Sequence, residues 1–107
     1  MVRFKPGALF EFVEPETLRA LADLHDAWRD AFGASVPFVV TSGTDGTHQS
    51  GSFHYEGKAF DIRTRDLSLT QRAKLELLTR TFQRTHAGWQ VILEPDHGHI
   101  ELDGLAH

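Results

Sequence analysis

Two stretches of this chain carry apolar residues at helical spacing on one side only, and nothing else in the sequence constrains the fold as much. In the first, Leu18, Leu21, Leu24, Trp28 and Phe32 recur three and four residues apart, with Glu16, Arg19, Asp23, Asp26 and Asp30 largely outside the stripe. In the second, Leu75, Leu78 and Phe82 form a stripe with Leu77 alongside. A helix that is apolar on one side must bury that side against another element. The remaining apolar segments are short, β-branched and aromatic, so the surface that receives both helices is a sheet.

The helix ends are marked. Pro15 suits a first helical position, because its missing N–H would have no partner there anyway. Gly33 is the C-terminal stop of the first helix. Ser68-Leu69-Thr70-Gln71 is a capping box, serine at the N-cap and glutamine three residues later, and the second helix ends near Ala87-Gly88. His25 lies beside the first stripe as a surface or boundary residue.

Strands occupy the rest. Residues 36–41 (VPFVVT) read as a strand between Gly33 and Gly43, with Pro37 at its first position or on an edge. Residues 42–53 are rich in Gly, Ser and Thr without periodicity and read as a loop. Residues 58–64 alternate, with Ala59 and Asp61 on one face and Phe60 and Ile62 on the other. Residues 89–93 (WQVIL) and 97–102 form a hairpin around the turn Glu94-Pro95-Asp96. Ahead of all this, residues 1–12 are a short lead with a turn at Pro6-Gly7, and the apolar run 8–13 forms an edge strand or packs as an arm. The predicted fold class is α+β, a small, mainly antiparallel sheet with two helices packed on one face. At 107 residues the chain holds one core and one domain, 1–107.

Composition excludes several chemistries. There are no cysteines, so disulfides, thiolate metal sites and cysteine nucleophiles are ruled out. The formal charge is −4 and no run of bases offsets it, which argues against a nucleic-acid partner. No apolar stretch has the length of a signal-peptide core or a bilayer span, so no membrane is implied. The chain is therefore expected to be cytoplasmic, and if it acts beyond a cytoplasm, lysis or a partner must deliver it.

Chemistry concentrates in two segments. In SGSFHYEGKAFDIR (residues 50–63), His54 and Asp61 flank a glycine, Gly57, where the chain can bend. An aspartate in so short a strand is costly to bury without a partner. In EPDHGHIEL (residues 94–102), strand alternation puts His97, His99 and Glu101 on one face and turns Ile100 and Leu102 to the core. Imidazoles with a carboxylate and no sulfur suit a zinc ion that keeps one position open, whereas calcium or magnesium would take more oxygens. The helical H-E-x-x-H arrangement is absent.

The motif S-x-H-x-x-G-x-A-x-D, matched by Ser52, His54, Gly57, Ala59 and Asp61 and followed by the pair His97-Gly98-His99, resembles that of a known family. These are the zinc D-alanyl-D-alanine carboxypeptidases and dipeptidases and the L-alanyl-D-glutamate endopeptidases of phage endolysins, with which the hedgehog signalling domain shares its fold. The resemblance runs over residues 39–102 and is closest to small phage-type members. It implies a hedgehog/D-Ala-D-Ala-peptidase-like fold and one Zn²⁺ ion held by His54, Asp61 and a histidine of the final strand. His99 is the favoured third ligand, which leaves His97 to steady the oxyanion and Glu94 to act as the base. Two other registers stay open: Glu94 to His97 with His97 as ligand, and Asp96 to His99 with Asp96 as base.

The same resemblance implies a substrate drawn from peptidoglycan stem or cross-bridge peptides, cleaved by a monomer. Ser52 and His48 are its candidate substrate-binding residues. The family places an arginine soon after the Ser-Gly pair; here Ser42-Gly43 is followed by Thr44-Asp45-Gly46-Thr47-His48, with none. An aspartate would repel an anionic terminus, so endopeptidase action is favoured over carboxypeptidase action. His48 takes over part of the arginine's role or is an ordinary loop histidine. The competing expectation is a zinc-containing, hedgehog-like binding module that recognises wall peptides without turnover.

Overall fold

The computed structural model describes residues 2–6, 15–42 and 58–102. Its elements are β1 (Val2–Phe4), α1 (Pro15–Phe32), β2 (Phe38–Ser42), β3 (Ala59–Arg63), α2 (Leu69–Thr85), β4 (Trp89–Leu93) and β5 (His97–Leu102). The five strands form one sheet in the order β1-β2-β3-β5-β4, parallel between β1 and β2 and antiparallel elsewhere. This is the expected α+β arrangement, with both helices on one face of a mainly antiparallel sheet.

The helix stripes are shifted from the sequence reading. In α1 the buried residues are Thr17, Ala20, Leu21, Leu24 and Trp28, while Leu18 is 49% exposed. At about 100° per residue, Leu18 lies roughly 120° from Leu24, off the buried side, whereas Thr17 lies almost above it. A threonine that fits the face is buried in preference to a leucine that does not. In α2, Leu75, Thr79 and Phe82 are buried and Leu78 is partly buried, but Leu77 is 63% exposed.

The caps are as expected. The Gln71 N–H donates to Ser68 Oγ at 3.1 Å and the Ser68 N–H to Gln71 Oε1 at 2.9 Å, closing the capping box. Gly33 takes φ 75° and its N–H donates to the Arg29 carbonyl at 2.8 Å. A left-handed residue there ends the helix without the Cβ clash that other residues would meet. β2 begins just after Pro37, so the proline costs the ladder no donor. In the N-terminal lead the strand is Val2–Phe4, paired with residues 38–40 of β2. The run 8–13 lies outside the described residues.

The core sits between helices and sheet: Leu21, Leu24 and Trp28 from α1, Leu75 and Phe82 from α2, and Phe38, Val40, Phe60, Ile62, Trp89 and Ile100 from the strands. Full burial of each such side chain contributes about 1.5–3 kcal/mol. Trp28 packs edge-on against Phe38 with ring centroids 5.4 Å apart, and its indole N–H donates to the Val36 carbonyl at 2.9 Å. The edge strand β4 has its Val91 N–H taken by Gln83 Oε1 of α2 at 2.8 Å. No helix among the described residues is long and apolar enough to cross a membrane.

Gly98 shows how the polar strand β5 packs so closely on the core. It lies opposite Ile62 on one side and Leu93 on the other. A Cβ at Gly98 would stand 3.3 Å from Ile62 Cγ1 and 3.3 Å from Leu93 Cδ2. The absence of a side chain lets those two apolar residues close beneath His97 and His99.

Candidate functional site

One strand register assembles the polar face. In the antiparallel pair β3·β5, Asp61 lies opposite His99, Arg63 opposite His97 and Ala59 opposite Glu101. Opposed residues point to the same side and positions two apart repeat it. Asp61, Arg63, His97, His99 and Glu101 therefore form a block on the face turned away from Phe60, Ile62 and Ile100. The alternation expected for both segments is present.

His99 stands between two carboxylates. Its Nδ1 is 2.9 Å from Asp61 Oδ1, and its Nε2 is 3.0 Å from Glu101 Oε1. All three side chains are largely shielded, at 21%, 16% and 14% exposure for His99, Asp61 and Glu101. The Asp61 hydrogen bond, joined by the charges of Asp61 and Glu101, raises the His99 pKa above its ordinary value against the opposing effect of burial. As an imidazolium, His99 donates to both acids. As a neutral ring it has a single N–H; when Nε2–H is donated to Glu101, the Nδ1 lone pair faces a carboxylate oxygen, and a cation suits that position.

An imidazole and a carboxylate without sulfur are donors of the type that suits zinc. Two ligands about 2.0–2.1 Å from a tetrahedral zinc lie about 3.3 Å from each other. The Asp61–His99 pair needs only a small opening from 2.9 Å to reach that spacing. Were His99 to bind a metal through Nδ1, Glu101 on Nε2 would be the outer carboxylate that fixes the ring's tautomer and orientation. Among the described residues no three His, Asp or Glu side chains are grouped to hold a metal. His54, expected as the remaining ligand, lies outside the described residues, as do Gly57, Ser52 and His48.

At the hairpin turn, His97 Nδ1 is 2.7 Å from Asp96 Oδ1, and this hydrogen bond holds the Asp96 carboxyl below its ordinary pKa. The Glu94 N–H donates to the His97 carbonyl at 2.8 Å, which closes the turn. Arg72 of α2 secures it from behind. Its guanidinium donates to the Pro95 carbonyl at 3.2 Å and also to the Glu94 carbonyl, while the Thr64 N–H donates to the Asp96 carbonyl at 3.2 Å.

A cleft of 270 Å³ opens between these groups, lined by Asp61, Arg63, Asp96 and His97 together with Lys5, Thr41 and Arg65. Asp96 lines the cleft that Asp61 enters, and Glu94 does not. The sequence reading placed Glu101 on this face without a task and passed over the cations. Arg63 was legible, since period-two alternation from Asp61 reaches it. Lys5 was not, because it follows β1, whose parallel pairing with β2 leaves no local signal.

The polar sheet face and the two-helix layer define a domain class, and the chain belongs to the family of the hedgehog amino-terminal signalling domain. That domain matches residues 16–101, from the first turn of α1 into β5. No curated protein matches the chain.

Proposed function

We propose that this protein is a zinc-dependent peptidase that hydrolyses peptide bonds of bacterial peptidoglycan, as an endopeptidase in preference to a D-alanyl-D-alanine carboxypeptidase. The observation that carries the reading is the shielded Asp61–His99 pair with Glu101 on the far nitrogen of the ring. A purely solvated polar face has no need of an imidazole held between two acids. The motif S-x-H-x-x-G-x-A-x-D supplies His54 as the partner of Asp61 and His99.

His54, Asp61 and His99 would hold the ion. A zinc there supplies Lewis-acid polarisation of a carbonyl and a lowered pKa for a coordinated water. Glu94 is the base that the resemblance favours, and Asp96, which lines the cleft with Asp61, is the alternative. The base takes one proton from the attacking water as its oxygen bonds to the carbonyl carbon. It returns that proton to the amine nitrogen as the C–N bond breaks. His97, oriented by Asp96, donates a hydrogen bond to the oxyanion. Ser52 and His48 contact the peptide. The enzyme works as a monomer on the cell wall, reached by lysis or phage delivery.

The family match favours a second reading, a zinc-containing binding module that holds wall peptides without turnover. One experiment separates the two. Purified peptidoglycan is incubated with zinc-loaded protein, and new amino termini are counted with and without chelator. Release that chelator stops, and that Asp96→Asn or Glu94→Gln depresses, supports the peptidase. Binding to the same wall material without release, at one zinc per chain, supports the module.

A further inference from the structure

The helix layer, on the other face of the sheet, has two unlike outer surfaces. On α2, Leu69, Ala73 and Leu77 follow at four-residue spacing as one exposed ridge, and Leu69 and Leu77 are 89% and 63% exposed. Lys74 and Arg80, three residues before and after Leu77, stand about 60° to either side of it, and Arg84 lies almost in line with it. The one acid of α2, Glu76, is turned about 100° from Leu77. On α1 the corresponding exposed ridge is Leu18, Ala22, Asp26 and Asp30. With His25 neutral, α1 holds four acids and two arginines, a net −2, whereas α2 holds four bases and one acid, a net +3.

Neither surface is neutralised within the chain. The helices are neighbours, linked where His86 Nε2 meets Asp23 Oδ2 at 2.8 Å, and Asp26 is approached by the adjacent His25 at 3.2 Å. Among the described residues, Asp30, Lys74, Arg80 and Arg84 make no ion pair. A two-fold axis running between the helices and parallel to them lays α1 of one copy over α2 of the other, and does so twice. The acidic ridge then meets the basic ridge, and leucines of both copies leave water. The alternative register, α1 over α1, brings acid onto acid. A flat anionic surface suits the layer less well, because α1 would present its acids to it.

We propose that the helix layer is a self-association surface on which a second copy of this chain docks, α1 over α2, as a reversible and salt-sensitive pair. The polar block of Asp61, His97, His99 and Glu101 belongs to the opposite face of the sheet. Each chain therefore keeps its own site turned outward, and a dilute chain works alone. Pairing needs neither metal nor turnover, so it stands apart from the peptidase reading.

The test is sedimentation equilibrium of the full chain in chelator, at about 0.02 M and about 0.5 M salt. At low salt the wild type is expected to pass from one-chain to two-chain mass with a Kd of about 100 µM or tighter. High salt should weaken the pair about tenfold or more, since the paired charges are exposed. Arg80→Glu with Arg84→Glu, and separately Asp26→Lys with Asp30→Lys, each put like charge on both ridges and leave single chains. Mixed in equal amounts, the two double variants pair again, because each offers the charge that the other lacks. Leu77→Ser weakens the wild-type pair without altering charge. Circular dichroism checks that every variant is folded, and zinc stoichiometry, expected at the wild-type value throughout, reports on the metal site separately. One-chain mass for the wild type at every concentration up to about 1 mM, undiminished pairing in both charge variants, or a mixture that stays single would overturn the pairing. So would a wild type that stays single yet sediments with phosphatidylglycerol vesicles through Arg80 and Arg84, which would give the basic ridge to an anionic bilayer.

Discussion

Asp61 and His99 are direct cross-strand partners on β3 and β5, with Oδ1 and Nδ1 2.9 Å apart, and Glu101 takes the other ring nitrogen at 3.0 Å. The pair joins the two segments that carry the polar chemistry, 38 positions apart in sequence. An acid and an imidazole so placed serve equally as a hydrogen-bonded pair and as two donors for one cation. Which of these prevails depends on protons and metal, so the relationship can be tested directly.

Asp61→Ala and His99→Ala are each expected to reduce zinc from one per chain to well below one after dialysis, because losing one of three protein ligands leaves an incomplete site. Elemental analysis of untagged protein provides the measurement. Full stoichiometry in both variants would assign the metal to other residues.

Glu101 should act through His99. Glu101→Ala is expected to weaken zinc binding about 10- to 100-fold, the usual cost of losing an outer carboxylate on a metal-bound histidine. Glu101→Gln retains an oxygen that accepts the Nε2 proton and should lose less. Chelator competition gives the affinities, and ¹⁵N shifts of the His99 ring report the tautomer. Equal affinity in wild type and Glu101→Ala would remove Glu101 from the site.

The elevated His99 pKa makes the metal-free fold sensitive to pH in a definite direction. A histidine whose folded pKa exceeds its unfolded value of about 6.5 adds stability that is complete below that value. The contribution disappears as pH rises through the folded pKa. Urea unfolding in chelator should therefore show wild-type stability falling across that window, relative to His99→Gln. Zinc binding must expel the same proton, so proton release on adding zinc should grow as pH drops below the folded pKa. Parallel pH profiles for the two proteins would contradict this account.

Much of this was legible in the residues, and what was missed has a physical reason. The capping box at Ser68, the stop at Gly33 and the alternation through Asp61 and His99 are local patterns, and local geometry realised them. Leu18 and Leu77 were misplaced because three- and four-residue spacing tolerates a wide stripe, while the real contact with the sheet is narrower. The sheet order was hidden, since β5 inserts between β3 and β4 through long-range pairing. With it were hidden the position of Lys5, the Arg72 clamp and the opposition of Asp61 to His99.

Arg72 yields a prediction that separates positioning from chemistry. Its guanidinium donates to the Pro95 and Glu94 carbonyls and approaches Thr64 Oγ1 at 3.4 Å, anchoring the turn that carries Asp96 to the start of α2. Arg72→Ala removes charge-assisted hydrogen bonds at a partly exposed position, which should cost about 1–2 kcal/mol of stability. Arg72→Lys keeps the charge but not the fork and should recover part of that loss. Zinc affinity is expected to stay within about twofold of wild type, because Asp61 and His99 are held by the strand ladder and not by the turn. Any turnover should fall in kcat, as Asp96 and His97 lose their fixed placement. Urea titration, chelator competition and wall hydrolysis measured on one preparation distinguish these effects; a variant that loses zinc as fast as it loses activity would show that the turn supports the metal site itself.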